Sequence, residues 1–389
     1  MIVGPEALAR VEAAFAQNFD SGREVGAAVA VWQDGREVLG LCRGWRDGGR
    51  TLPWTPDTLV LVWSATKGLS SACVLHALEA AGLDLTVRVA DFWPQFAQAG
   101  KEFLTVGEVV SHRAGLAALD DKTASMLDHD AVVAAIEKQA PRWQADEGHG
   151  YGPRTYGFLA DEMVRRLSGR KLGDYWRAEF GEPLGLDLWI GLPEDQHARV
   201  AQMLAARVST HEGEEEFAKA LADPGSLTRA AFAAPAGPLG ASAMNAPAVR
   251  SASLPSLGGI GSASALAKFY AMLANGGEFE GRRYFSEQAM AWMTTPLAQG
   301  LDRTLRTETA FSAGFMLDPI GADGRKKRTT FGPSVTAFGH PGAGGSLAFA
   351  DPESGLGFAY VMNQMETGVL PKARAIQLVQ ALYDAGGGS

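Results

Sequence analysis

Apolar side chains recur at helical intervals over residues 5–19, which predicts an opening helix. The run Ala27-Ala28-Val29-Ala30-Val31-Trp32, the polar break Gln33-Asp34-Gly35-Arg36 and the resumption Glu37-Val38-Leu39-Gly40 predict a β-hairpin closed by an Asp-Gly turn. Residues 58–63 form an apolar, β-branched run, a strand-like approach to a largely buried helix over 69–79. From there to about residue 188 the pattern is mostly helical, with breaks at Pro94, Gly115, Pro141 and Gly185. Residues 202–249, rich in Ala and Pro with a weak period, read as surface loops with short helices. Strand signals return at 310–317, 347–350 and 357–362, and a helix over 371–385 closes the chain.

The early hairpin and the late strands lack partners nearby, so the simplest packing joins them into one mostly antiparallel sheet. The expected fold class is α+β, the sheet flanked by the N- and C-terminal helices. Residues 1–68 and 255–389 would form a discontinuous sheet domain, and 69–254 an inserted, mainly helical one. Gly386-Gly387-Gly388-Ser389 reads as a linker remnant and stays outside the fold argument.

Composition narrows the function classes. Over 389 residues, 46% hydrophobic and 20% charged content is globular and large enough for a substantial core. A net charge of −9 without a long basic run argues against nucleic acid or an anionic membrane surface, and favours a small neutral substrate. Cys42 and Cys73 are expected reduced and buried. Residues 1–18 lack a basic region followed by an apolar one, and no apolar stretch reaches membrane-spanning length, so the expected location is cytoplasmic. Nothing in the pattern specifies an oligomeric state.

The strongest chemical signal is Trp63-Ser64-Ala65-Thr66-Lys67-Gly68-Leu69, where the strand-like run enters the helix. Residues i and i+3 share a helical face, so the Lys67 amine can reach the Ser64 hydroxyl. Burial would lower the amine's pKa toward that of a working base. Ser168-Gly169-Arg170-Lys171 matches the same spacing, but a Gly/Arg/Lys-rich segment at a helix end is better read as a stop.

A leaving group also needs a proton. Tyr151, in the loop Glu147-Gly148-His149-Gly150-Tyr151-Gly152-Pro153, can supply one; Tyr156, inside the next helical period, reads as packing. The glycine-rich Phe338-Gly339-His340-Pro341-Gly342-Ala343-Gly344-Gly345-Ser346 leads into a strand and offers exposed backbone. The Ala343 N–H could join that of Ser64 as an oxyanion hole. Alternatively the segment is a bulged turn with His340 simply exposed. His112 reads as a helix-terminal cation near the last carbonyls. The absence of His-Glu-x-x-His, Cys-x-x-Cys, Gly-x-Ser-x-Gly, Walker and dinucleotide motifs argues against a catalytic metal, an α/β-hydrolase, phosphoryl transfer and NAD chemistry.

Ser64-Ala65-Thr66-Lys67, Ser111-His112-Arg113-Ala114-Gly115-Leu116, Tyr151-Gly152-Pro153 and His340-Pro341-Gly342, in this order and spacing, resemble the serine β-lactamase and penicillin-binding-protein superfamily. Within it the resemblance is to the class C-like, family VIII carboxylesterases. Pro183-Leu184-Gly185-Leu186-Asp187 and Gly258-Gly259-Ile260-Gly261-Ser262-Ala263 agree, and the likeness spans nearly the whole chain, least over 202–249. The resemblance implies a β-lactamase/transpeptidase-like fold, Ser64 as nucleophile, Lys67 as its base and Tyr151 as proton partner. It further implies an oxyanion hole of the Ser64 and Ala343 N–H groups, substrate contacts at His340 and Gly342, and no cofactor.

Class C β-lactamases carry Tyr-x-Asn and Lys-Thr-Gly. Here Pro153 stands in place of the asparagine, and His340-Pro341 in place of lysine and threonine. A histidine is mostly neutral at pH 7 and proline has no N–H to donate, so both changes weaken β-lactam recognition. The expectation is a hydrolase of short-chain carboxylic esters acting through an acyl-serine. The rivals are an acyltransferase of the same fold, a β-lactamase or D-Ala peptidase and, in a different class, an inactive ligand-binding module.

Overall fold

The computed structural model describes residues 3–207 and 213–384. Its main sheet has eight strands: β1 Gly26–Gln33, β2 Arg36–Gly44, β3 Ala298–Leu301, β4 Glu308–Phe311, β5 Met316–Leu317, β6 Phe338–Pro341, β7 Leu347–Asp351 and β8 Leu356–Met362. Their spatial order is β2-β1-β8-β7-β6-β5-β4-β3, with every ladder antiparallel. The hairpin and the late strands thus do join, through β1 against β8, with Val29 opposite Tyr360. Asp34 and Gly35 both take positive φ, 51° and 76°, as a two-residue turn between right-twisted strands requires.

Alternation along β1 serves two cores. Ala27, Val29 and Val31 face a cluster with Val11 and Phe15 of the helix Pro5–Asp20 and Leu378 and Leu382 of the helix Ala373–Tyr383. Ala28 and Ala30 face the larger cluster, which contains the helix Ala263–Ala274. That helix lies directly on β8: a Cβ at Gly357 would come within 2.2 Å of the Ala267 carbonyl oxygen.

Some expectations change. The run 310–317 is not one strand but the hairpin β4–β5, turned at Gly314 with φ 86° and with Met316 opposite Phe311. The run before Ser64 contributes only the short strand Val60–Leu61, which pairs with Gly259–Gly261 in a separate three-stranded sheet completed by Leu188–Ile190. The 202–249 region carries the short helices Glu215–Ala222, Leu227–Ala233, Gly240–Met244 and Pro247–Ser251, as read. The linker-like 386–389 lies outside the described residues. Cys42 is half-buried and Cys73 buried, and both are free thiols. Among the described residues no helix is long and apolar enough to cross a membrane.

Candidate active site

Ser64 sits in a tight turn, Trp63–Ala65, that opens directly into the helix Thr66–Ala80. Trp63 has a φ of +51°, a left-handed conformation that costs a bulky residue about 1–3 kcal/mol. Neighbouring bonds hold it there. The Val62 N–H donates to Gly259 O at 2.9 Å, the Thr66 hydroxyl to Trp63 O at 2.5 Å, and the Gly259 N–H to Thr66 Oγ1 at 2.8 Å. The kink leaves Ser64 at the start of the helix, where N–H groups have no intrahelical acceptor.

One turn on, Lys67 is fully buried, with Nζ 3.4 Å from Ser64 Oγ. Nζ also donates to Pro153 O at 3.0 Å and to Ser256 O at 2.8 Å. No carboxylate pairs with it among the described residues, and burial drives its pKa well below the ordinary 10.5. A neutral amine has two N–H bonds and one lone pair. In that form the two carbonyls take the N–H bonds, and the lone pair is left for the Ser64 hydroxyl.

Tyr151 closes the triangle. Its ring lies under Lys67 Nζ, 4.8 Å from the centroid. Burial pushes the phenol above its ordinary range, against the opposing effect of the neighbouring Ser64 side chain. Burial thus pushes both groups toward their uncharged forms, the free amine and the protonated phenol. Tyr156 stays behind the site: its hydroxyl meets Ser71 Oγ at 2.7 Å, and Ser71 donates to Lys67 O at 2.6 Å, bracing the helix that carries Lys67.

His112 requires a correction. It follows the helix Val106–Val110 as expected, with φ +62°, but it is not a helix-end cation. Its ring is buried against Tyr151, Tyr156 and Phe311 at centroid distances of 5.1, 4.8 and 4.6 Å. Burial, with the nearby Lys67, lowers its pKa well below 6.5. The neutral ring accepts the Gly152 N–H at Nδ1, 3.2 Å away, and so fixes the tyrosine loop.

The third segment forms the facing wall. Gly342, just beyond β6, touches the turn that carries Ser64: a Cβ there would lie 2.2 Å from Val62 O. Among the described residues neither the Ala343 N–H nor the Ser64 N–H donates to an acceptor. His340 is buried rather than exposed, its ring 5.9 Å from that of Tyr151. Its Nδ1 donates to Pro341 O at 2.8 Å, which leaves Nε2 as an unpartnered acceptor. Burial, with Lys67 nearby, lowers its pKa to about 3, so the ring is neutral.

The sequence-predicted Ser64, Lys67, Tyr151, His340 and Gly342 thus converge. The second motif does not take part: Ser168 Oγ donates to Val164 O at 2.7 Å, and Gly169 ends the helix with φ 75°. Sequence reasoning missed Ser256, whose carbonyl holds Lys67 and whose hydroxyl accepts the Gly157 N–H at 2.6 Å. The Pro255-Ser256 step before Gly258-Gly259 was its one visible signal, a turn. Asp302, which accepts the Tyr151 N–H, had no signal at all.

An antiparallel sheet with a serine-lysine pair at a helix start beside it defines the serine hydrolases of β-lactamase/transpeptidase-like fold. The chain belongs to the Beta-lactamase family, which matches residues 11–382. It is 34% identical over 370 residues to the esterase/beta-lactamase LipL of Mycobacterium tuberculosis, covering 90% of this chain and 80% of that one. Its structure is similar to a penicillin-binding protein homolog from Caulobacter crescentus, with TM-score 0.87, 36% identity and 98% of each chain covered. It is equally similar to a family VIII carboxylesterase, with TM-score 0.86, 36% identity and 98% of each chain covered.

Proposed function

We propose that this protein is a carboxylesterase that cleaves neutral, short-chain carboxylic esters through an acyl-Ser64 intermediate. The observation that carries the reading is the buried Lys67 amine, its pKa driven well down, 3.4 Å from Ser64 Oγ and bonded to the Pro153 and Ser256 carbonyls.

In acylation Ser64 Oγ bonds to the ester carbonyl carbon while its proton passes to Lys67 Nζ. The Ser64 and Ala343 N–H groups receive the oxyanion. As the carbon–alkoxide bond breaks, Tyr151 gives its proton to the leaving oxygen and is reprotonated from Lys67. Water repeats the sequence in the opposite sense and releases the acid. Every group returns to its starting state, and no cofactor enters.

Substrate class follows from the facing wall. A neutral His340 whose Nε2 lone pair has no partner, followed by a proline that lacks an N–H, offers a substrate carboxylate neither a cation nor a donor. Neutral esters are therefore preferred over β-lactams, whose recognition calls for a cation. The test compares p-nitrophenyl acetate and butyrate with nitrocefin. Ester turnover, lost in Ser64→Ala along with fluorophosphonate labelling, is expected. Faster nitrocefin turnover would make the protein a β-lactamase instead.

A further inference from the structure

Asp302 lies in the turn between β3 and β4, with no exposed surface. Both carboxylate oxygens accept the Tyr151 N–H, at 3.1 and 3.2 Å. Oδ1 accepts the N–H groups of Thr304 and Leu305 at 2.7 and 2.8 Å, and Oδ2 accepts the Thr309 hydroxyl at 3.2 Å. Thr309 Oγ1 in turn meets His149 Nε2 at 2.7 Å, and that nitrogen is 3.8 Å from Asp302 Oδ2. One buried carboxylate is thus bonded to the backbone of Tyr151, while His149, two residues earlier on the same loop, is held by Thr309 of β4. On the far side, the Gly152 N–H is held by His112.

We propose that Asp302 is a positioning residue for the reaction: its carboxylate anchors the Tyr151 backbone so that the phenol hydroxyl meets Ser64. The proposal rests on the reading of Tyr151 as proton donor. A loop with two anchors, Asp302 below and His112 above, has little freedom to let the ring swing away. Such restraint matters because a displacement of about 1 Å at a reacting group can cost on the order of 100-fold in rate. The competing role for Asp302 is purely local, to cap its own turn through Thr304 and Leu305. That role predicts a loss of stability independent of Tyr151.

A double-mutant cycle separates the two. In Asp302→Asn the amide cannot accept at both positions, since one oxygen becomes a donor. With p-nitrophenyl acetate, kcat is expected to fall about tenfold with KM changed less than about twofold. In a Tyr151→Phe background, which is itself slow, the same change should cost less than about twofold, because the positioned hydroxyl is already gone. A full tenfold loss in both backgrounds, or none in either, would overturn the proposal. Thr309→Val, which removes one ligand of Asp302 without touching its turn, provides a second cycle should Asp302→Asn fold poorly. Its kcat loss, restored in Thr309→Ser, should likewise vanish beside Tyr151→Phe. If Tyr151→Phe alone retains the full rate while Ser64→Ala is dead, the assignment of Tyr151 fails and this proposal with it; the acyl-Ser64 reading survives.

Discussion

Two titratable side chains at this site are shifted in opposite directions by the same cause. Burial favours the uncharged form of each, so Lys67 loses a proton and Tyr151 keeps one. On the proposed mechanism these are a base and an acid within one cluster, without histidine. Arginine could not replace Lys67, because a guanidinium stays protonated. Lys67→Ala is expected to lower kcat by roughly 10²–10⁴-fold, the usual contribution of a positioned acid-base group. The pH profile gives an independent check on the wild-type protein. Activity needs the free amine, so kcat/KM should rise with pH as Lys67 deprotonates, and the rise should finish well below the ordinary 10.5. His340, with a pKa of about 3, stays neutral over that range and adds no limb of its own. A rate still climbing near pH 10.5 would mean that Lys67 is not the base.

At the scale of elements, the end of β6 and the turn before the nucleophile helix meet at Gly342, and the contact tolerates no side chain. Gly342→Ala would set a Cβ 2.2 Å from the Val62 carbonyl, so the strand end must retreat from Ser64 and take the Ala343 N–H with it. Overpacking of this kind costs about 1–3 kcal/mol of stability. Loss of one oxyanion donor costs on the order of 10²-fold in kcat. Measured kcat should therefore fall far more than thermal stability does, and an unchanged kcat would separate this loop from catalysis. The glycine-rich segment was legible in sequence as a place of close backbone approach, but its partner was not, because Val62 is 280 positions earlier by residue number. The same limit explains His112. Its place after a helix was readable, yet the Tyr151 loop and Phe311 that cover it come from remote parts of the chain, and their cover turns an expected cation into a neutral ring. Ser64 and Lys67 could be paired because helical spacing is local. Asp302 could not be found, since an isolated aspartate in a turn looks the same whether it caps itself or anchors Tyr151.

Across the whole molecule, the two ends of the chain are brought together behind the oxyanion wall. The helices Pro5–Asp20 and Ala373–Tyr383 pack on one face of the sheet, and Arg374 of the latter is almost completely buried, at 1% exposure. Its guanidinium bonds Glu24 at 2.6 Å, just before β1, lies 3.2 Å from Glu366, and donates to Gln364 O at 2.7 Å. It also reaches Gly344 O at 3.4 Å, one residue from the Ala343 N–H. The Glu366 N–H holds the same Gly344 carbonyl at 2.9 Å. Arg374→Met would leave the buried Glu24 carboxyl without its cation, and breaking a buried pair typically costs about 3–5 kcal/mol. For a chain of this size that corresponds to a Tm lower by roughly 5 °C. Because the same side chain supports the segment carrying the oxyanion donor, kcat should decline at temperatures where the variant is still folded. Glu24→Gln combined with Arg374→Met should recover part of the Tm by removing a stranded charge, and should recover little of the kcat, since the contact to Gly344 stays lost. Thermal unfolding followed by circular dichroism, with ester turnover measured on the same samples below the transition, resolves the two effects. A Tm within a degree or two of wild type would show that this buried ion cluster does not stabilise the junction of the chain ends.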